Sequence, residues 1–129
     1  MSHIHPTLRR DGDQVIILDQ TRLPHEEHYL RLDSLDDAAT AIRDMHVRGA
    51  PLIGAAAAFG VALALRHDPS DAMLRQADCT LRQTRPTAVN LHWALDRMLA
   101  TLAPLPTVVR SRAAWTEAEA IRCADLAAN

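Results

Sequence analysis

The sequence predicts an α+β fold: a three-stranded antiparallel sheet over about residues 5–33, then a bundle of about five helices over about 34–129. Three observations carry this. Short aliphatic runs flank a turn dipeptide, Asp11-Gly12, in the first third. A stretch without any polar side chain, Pro51 to Leu65, follows it. Beyond that, apolar residues recur at helical spacing.

Thr7-Leu8-Arg9-Arg10 and Val15-Ile16-Ile17-Leu18 read as the two strands of a hairpin. A connection from Thr21 to Glu27, with Pro24 inside it, leads to a third strand, Tyr29-Leu30-Arg31-Leu32. There Leu30 and Leu32 share one face and Tyr29 and Arg31 the other. Ser34 stands three residues before Asp37 and opens a helix whose apolar positions are Leu35, Ala38, Ala39, Ile42 and Met45. Gly49 stops it, and Pro51 suits the first turn of the next helix. That second helix is apolar on every side and shorter than the ~20 apolar residues of a membrane span, so it reads as a central packed helix. Gly54 and Gly60 would let neighbours approach it closely. Asp68-Pro69-Ser70-Asp71 starts a third helix, with Asp68 as cap and proline in the first turn. Leu91, Leu95, Met98, Leu99 and Leu102 mark a fourth, broken by Pro104 and Pro106. From Ser111 onward, Ala114, Ala118, Ile121, Ala124 and Ala128 mark a fifth. It reaches Asn129 with no stop signal, so we expect the chain to be the front part of a longer protein.

The chain has 129 residues, which suits one domain with a real core and is too short for two. A net charge of -2 gives no global field for nucleic acid or an anionic membrane, so any anion site must be local. Cys79 and Cys123 are too few and too distant to frame a disulfide scaffold or a zinc site, and neither has a neighbouring histidine base. No secretory signal precedes the first strand, which makes a cytoplasmic location the expectation. His25-Glu26-Glu27-His28 spaces its histidines three apart rather than the four of a zinc-protease helix, so no metal is expected. His3 and His5 are weaker still. His46 and His92 read as structural or pocket-lining, and Trp93 and Trp115 as core or interface.

The chemistry concentrates in two arginines placed before apolar helices, Arg48 in Val47-Arg48-Gly49-Ala50-Pro51 and Arg85 in Arg85-Pro86-Thr87-Ala88. N–H groups at a helix start lack intrahelical partners and favour an anion. A guanidinium adds a planar fork of donors suited to phosphate. Gly49 permits close approach of a ligand to the backbone. The residues alone leave two readings open, a turn arginine that is solvated or salt-bridged and one half of a phosphate socket.

Three segments resemble, in order, those of the S-methyl-5-thioribose-1-phosphate isomerases, which share a family with the initiation-factor-2B alpha, beta and delta subunits. They are Leu18-Asp19-Gln20-Thr21-Arg22-Leu23-Pro24, Val47-Arg48-Gly49-Ala50-Pro51-Leu52-Ile53-Gly54, and Arg85-Pro86-Thr87-Ala88-Val89-Asn90-Leu91, continued by His92-Trp93-Ala94-Leu95-Asp96-Arg97-Met98. The resemblance implies an enzyme of methionine salvage that turns the aldose S-methyl-5-thioribose 1-phosphate into the ketose S-methyl-5-thioribulose 1-phosphate without a cofactor. It implies a small N-terminal domain, residues 1–129, ahead of a Rossmann-like domain that is absent here, and a homodimer at full length. Arg48, Gly49, Ala50 and Arg85 carry over as substrate-binding residues. The family's catalytic cysteine and aspartate belong to the later domain, so no catalytic residue is assigned here, and Cys79 and Cys123 do not match that cysteine's surroundings. The chain alone is then expected to be inactive. Ribose-1,5-bisphosphate isomerases share similar elements and are the alternative enzyme. Regulatory subunits of the initiation-factor exchange complex, which act by association, are the alternative of another class.

Overall fold

The hairpin sets the first strand pair. In a computed structural model, which describes residues 8–19, 28–44, 46, 47 and 50–128, β1 (Leu8–Asp11) pairs antiparallel with β2 (Gln14–Leu18). Asp11 lies opposite Gln14, so the two loop residues are Gly12 and Asp13. The turn is therefore one residue later than the Asp11-Gly12 dipeptide suggested. Gly12 takes a φ of 61°, the left-handed conformation that lets a two-residue loop follow the twist of its strands. β3 (Tyr29–Leu32) pairs antiparallel with β2 and completes a sheet of order β1-β2-β3. Thr7, the connection Thr21–Glu27, the histidines His3, His5 and His25, and Met45 lie outside the described residues.

Period-2 alternation sorts the sheet. Leu8, Ile17 and Leu30 lie across from one another, as do Arg10, Val15 and Leu32, and this face turns to the helices. On the outer face Ile16 is flanked in register by Arg9 and Arg31, and Arg31 reaches Asp11 at 3.2 Å and the Gln14 side chain.

Among the described residues five helices follow, as expected. α1 (Leu35–Arg43) starts at Ser34, whose hydroxyl accepts from the Asp37 N–H at 3.1 Å. The Asp37 carboxylate accepts in turn from the Asp33 N–H, so two helix-start donors are satisfied reciprocally. α2 (Ala50–His67) runs through the middle, with every residue from Ile53 to Leu65 buried. Its alanines favour helix and let α1, α3, α4 and α5 pack against it. Among the described residues no helix is long and apolar enough to cross a membrane. α3 (Asp71–Arg82) is capped by Ser70, whose hydroxyl accepts from the Met73 N–H, and not by Asp68. Asp68 instead accepts from the Ser70 N–H, and Pro69 stands outside the helix. Serine wins because its short side chain reaches the free N–H three residues on, while Asp68 closes the turn before it.

α4 (Val89–Leu102) buries Leu91, Ala94, Leu95, Met98 and Leu102, with Leu99 half-buried. α5 (Thr107–Ala128) begins four residues before the expected Ser111, directly after Pro106. The reason is Arg110, which occupies the inward position one turn before Ala114 and is buried, so a charge hides the first turn from an apolar pattern. Ala114, Trp115, Ala118 and Ile121 continue that inward face.

Two glycines of α2 serve close contacts. A Cβ at Gly60 would sit 3.0 Å from the Ala38 Cβ and 3.1 Å from Leu81, where α1 and α3 both meet α2. A Cβ at Gly54 would meet the Asn90 carbonyl oxygen at 3.0 Å, so the second turn of α2 and the first turn of α4 approach closely. Gly54→Val is expected to lower stability by about 1–3 kcal/mol in urea unfolding, because its branched side chain must push the start of α4 away.

Candidate functional site

The corner between α3 and α4 is built from local hydrogen bonds. α3 is closed by Thr84, whose N–H and hydroxyl both donate to the Leu81 carbonyl, at 3.2 and 2.6 Å. Pro86 then disfavours helical backbone at the preceding Arg85. The Ala88 N–H donates to the Arg85 carbonyl at 3.0 Å, and α4 starts at Val89. Arg85 thus stands in the turn ahead of the helix and not in its first turn. Ala88, at the N-cap, has no side chain able to accept from the N–H groups of α4.

Arg85 is half-buried. Its Nη1 is enclosed and has no hydrogen-bond partner among the described residues. An enclosed guanidinium donor without an acceptor is costly and uncommon, which marks this corner out. Asp78 Oδ1, on α3, is enclosed and without a partner in the same way.

Charge is tightly organised next to it. Arg82 donates to Asp78 at 2.9 Å and to Asp96 at 2.6 Å, joining α3 to α4. The Asp78 hydrogen bond, aided by Asp96 and opposed by burial, raises the Arg82 pKa above its ordinary value. His92 completes the cluster: one ring nitrogen lies 3.3 Å from Arg82 Nη1 and the other 2.9 Å from the Pro86 carbonyl.

The remaining sequence candidates fall as follows. Arg48 and Gly49 lie outside the described residues, and Ala50 is the first residue of α2. Since Gly54 abuts Asn90, the start of α4 lies against the second turn of α2. His46, two residues before Arg48 in the chain, places Nδ1 2.9 Å from Asp19 Oδ1, and Asp19 is buried at the end of β2. Asp19 also fastens the chain through its N–H, which donates to the His28 carbonyl at 2.7 Å. Asp19 belongs to the first of the three motif segments. Its signal is a carboxylate placed directly after an apolar strand.

Cys79 and Cys123 are both exposed free thiols, and Cys79 Sγ accepts from the Gln83 side chain at 3.1 Å. Among the described residues no three His, Cys, Asp or Glu side chains converge as a metal site. Trp115 belongs to the core, whereas Trp93 is largely exposed with Arg97 5.7 Å from its ring. Arg66, at the far end of α2, is committed to structure. It donates to the Asp13 carbonyl and, at 2.9 Å, to the Asp33 carbonyl, tying the hairpin to the β3–α1 corner.

The sequence profile of the initiation factor 2 subunit family matches residues 46–127. The chain belongs to this family. Its relatives include the methylthioribose-1-phosphate isomerase of Methylorubrum extorquens, 57% identical over 91% of this chain and 32% of the relative. The crystal structure of 5-methylthioribose 1-phosphate isomerase from Pyrococcus horikoshii OT3 aligns with a TM-score of 0.81 at 35% identity, over 89% of this chain and 35% of that one. Translation initiation factor eIF-2B subunit delta from A. fulgidus also gives 0.81, at 33% identity, over 89% and 36%. This family member therefore spans about a third of the length of the relatives it matches.

Proposed function

We propose that residues 1–129 are the N-terminal substrate-binding domain of an aldose–ketose isomerase that converts S-methyl-5-thio-α-D-ribose 1-phosphate to S-methyl-5-thio-D-ribulose 1-phosphate in methionine salvage. The observation that carries the reading is the 57% identity to a relative of that name across nearly the whole chain. Fold similarity alone does not separate the isomerase from the initiation-factor subunit, since both give the same TM-score. The enclosed, unspent Nη1 of Arg85 favours the isomerase over a purely associating role, because a scaffold has no use for an enclosed donor awaiting an acceptor.

In this reading Arg48 and Arg85 hold and partly neutralise the substrate phosphate, and Gly49 and Ala50 are further substrate-binding residues. The uncapped N–H groups of α4 add to the positive potential. Phosphate binding positions the sugar but does not move a proton, so the acid–base groups lie in a further domain. The whole enzyme is a cytoplasmic homodimer without a cofactor.

Calorimetric titration of this chain with S-methyl-5-thioribose 1-phosphate tests the reading. Binding is expected, with no ketose formed by the chain alone. Arg85→Ala is expected to weaken binding by ~1.5–3 kcal/mol, roughly 10- to 150-fold, the scale of a lost charge-assisted hydrogen bond. Equal affinity in wild type, Arg85→Ala and Arg48→Ala would end the assignment of these residues.

A further inference from the structure

We infer that His92 is a positioning residue for the Arg85 loop, acting as a clamp between that loop and α4. The inference rests on the reading of Arg85 as a phosphate ligand, but its structural half stands on hydrogen bonds alone.

A carbonyl oxygen can only accept a hydrogen bond and a guanidinium can only donate one. The His92 nitrogen 2.9 Å from the Pro86 oxygen, Nε2, therefore carries the hydrogen. Nδ1, 3.3 Å from Arg82 Nη1, offers its lone pair. Both ring nitrogens are used, and the tautomer is fixed by its partners. Arg82 is itself held by Asp78 on α3, four residues before it, and by Asp96 on α4, one turn after His92. The ring thus cannot swing without breaking its contacts to α3 and to the loop.

The consequence falls on Arg85. Its carbonyl is engaged by the Ala88 N–H, the residue after it is a proline with fixed φ, and that proline's carbonyl is tied to His92. With the Thr84 N–H and hydroxyl bonded to the Leu81 carbonyl before it, backbone on both sides of Arg85 is held, so its guanidinium is presented to an anion without the loop having to order on binding. Preorganisation of this kind improves affinity by removing an ordering cost.

The test uses this chain and three proteins: wild type, His92→Phe and His92→Gln. Glutamine places an N–H where Nε2 stands and can still donate to the Pro86 carbonyl, whereas phenylalanine cannot. Amide hydrogen exchange at Ala88 reports the loop, thermal melting reports the fold, and titration with S-methyl-5-thioribose 1-phosphate reports presentation of Arg85. His92→Phe is expected to speed Ala88 exchange and to weaken binding, each by about tenfold. Its melting temperature should stay near wild type, and His92→Gln should restore both other readouts to within about threefold. Unchanged Ala88 exchange in His92→Phe overturns the clamp. Faster exchange with unchanged affinity overturns the positioning role. If wild type fails to bind the sugar phosphate, the substrate reading of Arg85 falls while the exchange data still decide the clamp. Should His92→Phe melt early, His92→Asn, which leaves nothing at the Nε2 position, takes its place.

Discussion

Arg110→Leu is expected to destabilise the chain by about 3–5 kcal/mol in urea unfolding. Arg110 is buried, and its guanidinium makes four hydrogen bonds and one ion pair. Nε donates to the Leu102 carbonyl at 3.0 Å, and Nη2 to Ala103 and Leu105 at 3.1 and 2.8 Å. Nη1 reaches the Pro69 carbonyl and the Asp71 carboxylate, each at 2.8 Å. One side chain thereby satisfies orphan carbonyls at the end of α4, closes the α4–α5 turn and ties both to the start of α3. Leucine would leave four carbonyls without that donor, at roughly 1–3 kcal/mol for each that water cannot reach. The mostly exposed Asp71 loses little, so the effect comes from the carbonyls and not from the ion pair. Arg110→Lys separates these contributions: a single ammonium keeps the charge but lacks the fork, and should recover less than half of the loss. A loss under about 1 kcal/mol for Arg110→Leu would show that the turn holds without it.

Phe59→Ala is expected to cost about 3–5 kcal/mol, the range for emptying a large buried aromatic site. Phe59 is fully buried on α2 and packs against Trp115 of α5, with ring centroids 5.9 Å apart and planes tilted by 55°. Beyond it, Arg10 of the hairpin lies 4.4 Å from the Trp115 ring, so the contact runs from α2 through α5 to the sheet. The surrounding helices are close-packed and cannot collapse fully into the space. Phe59→Leu, which refills most of the volume, should cost about 1–2 kcal/mol. Near-equal losses for the two variants would place the cost in the aromatic contact rather than the cavity. Against a total stability of about 5–15 kcal/mol, either Arg110→Leu or Phe59→Ala removes a large share.

The elements were legible wherever a local rule sufficed. Strand alternation around Gly12, the Ser34 cap and the unbroken apolar run of α2 each depend on residues a few positions apart. Where sequence and structure differ, a competing hydrogen bond decided. Asp68 and Ser70 both offer a capping oxygen, and only the closed turn selects Ser70. The first turn of α5 was missed because Arg110 looks like a surface residue until the carbonyls of the preceding turn close around it. Of the candidate site, the residue types at Arg48 and Arg85 were visible. The enclosure of the Arg85 donor, the His92 clamp and the Asp19–His46 pair were not, since each joins residues from different elements.

By itself the sequence determined the order and kind of the elements, because periodicity, capping and turn chemistry are local properties of the chain. The tertiary structure alone decided which charges are spent on the fold and which remain unspent. That distinction depends on acceptors brought from distant positions: Arg66 and Arg110 find carbonyls there, and the enclosed nitrogen of Arg85 finds none among the described residues.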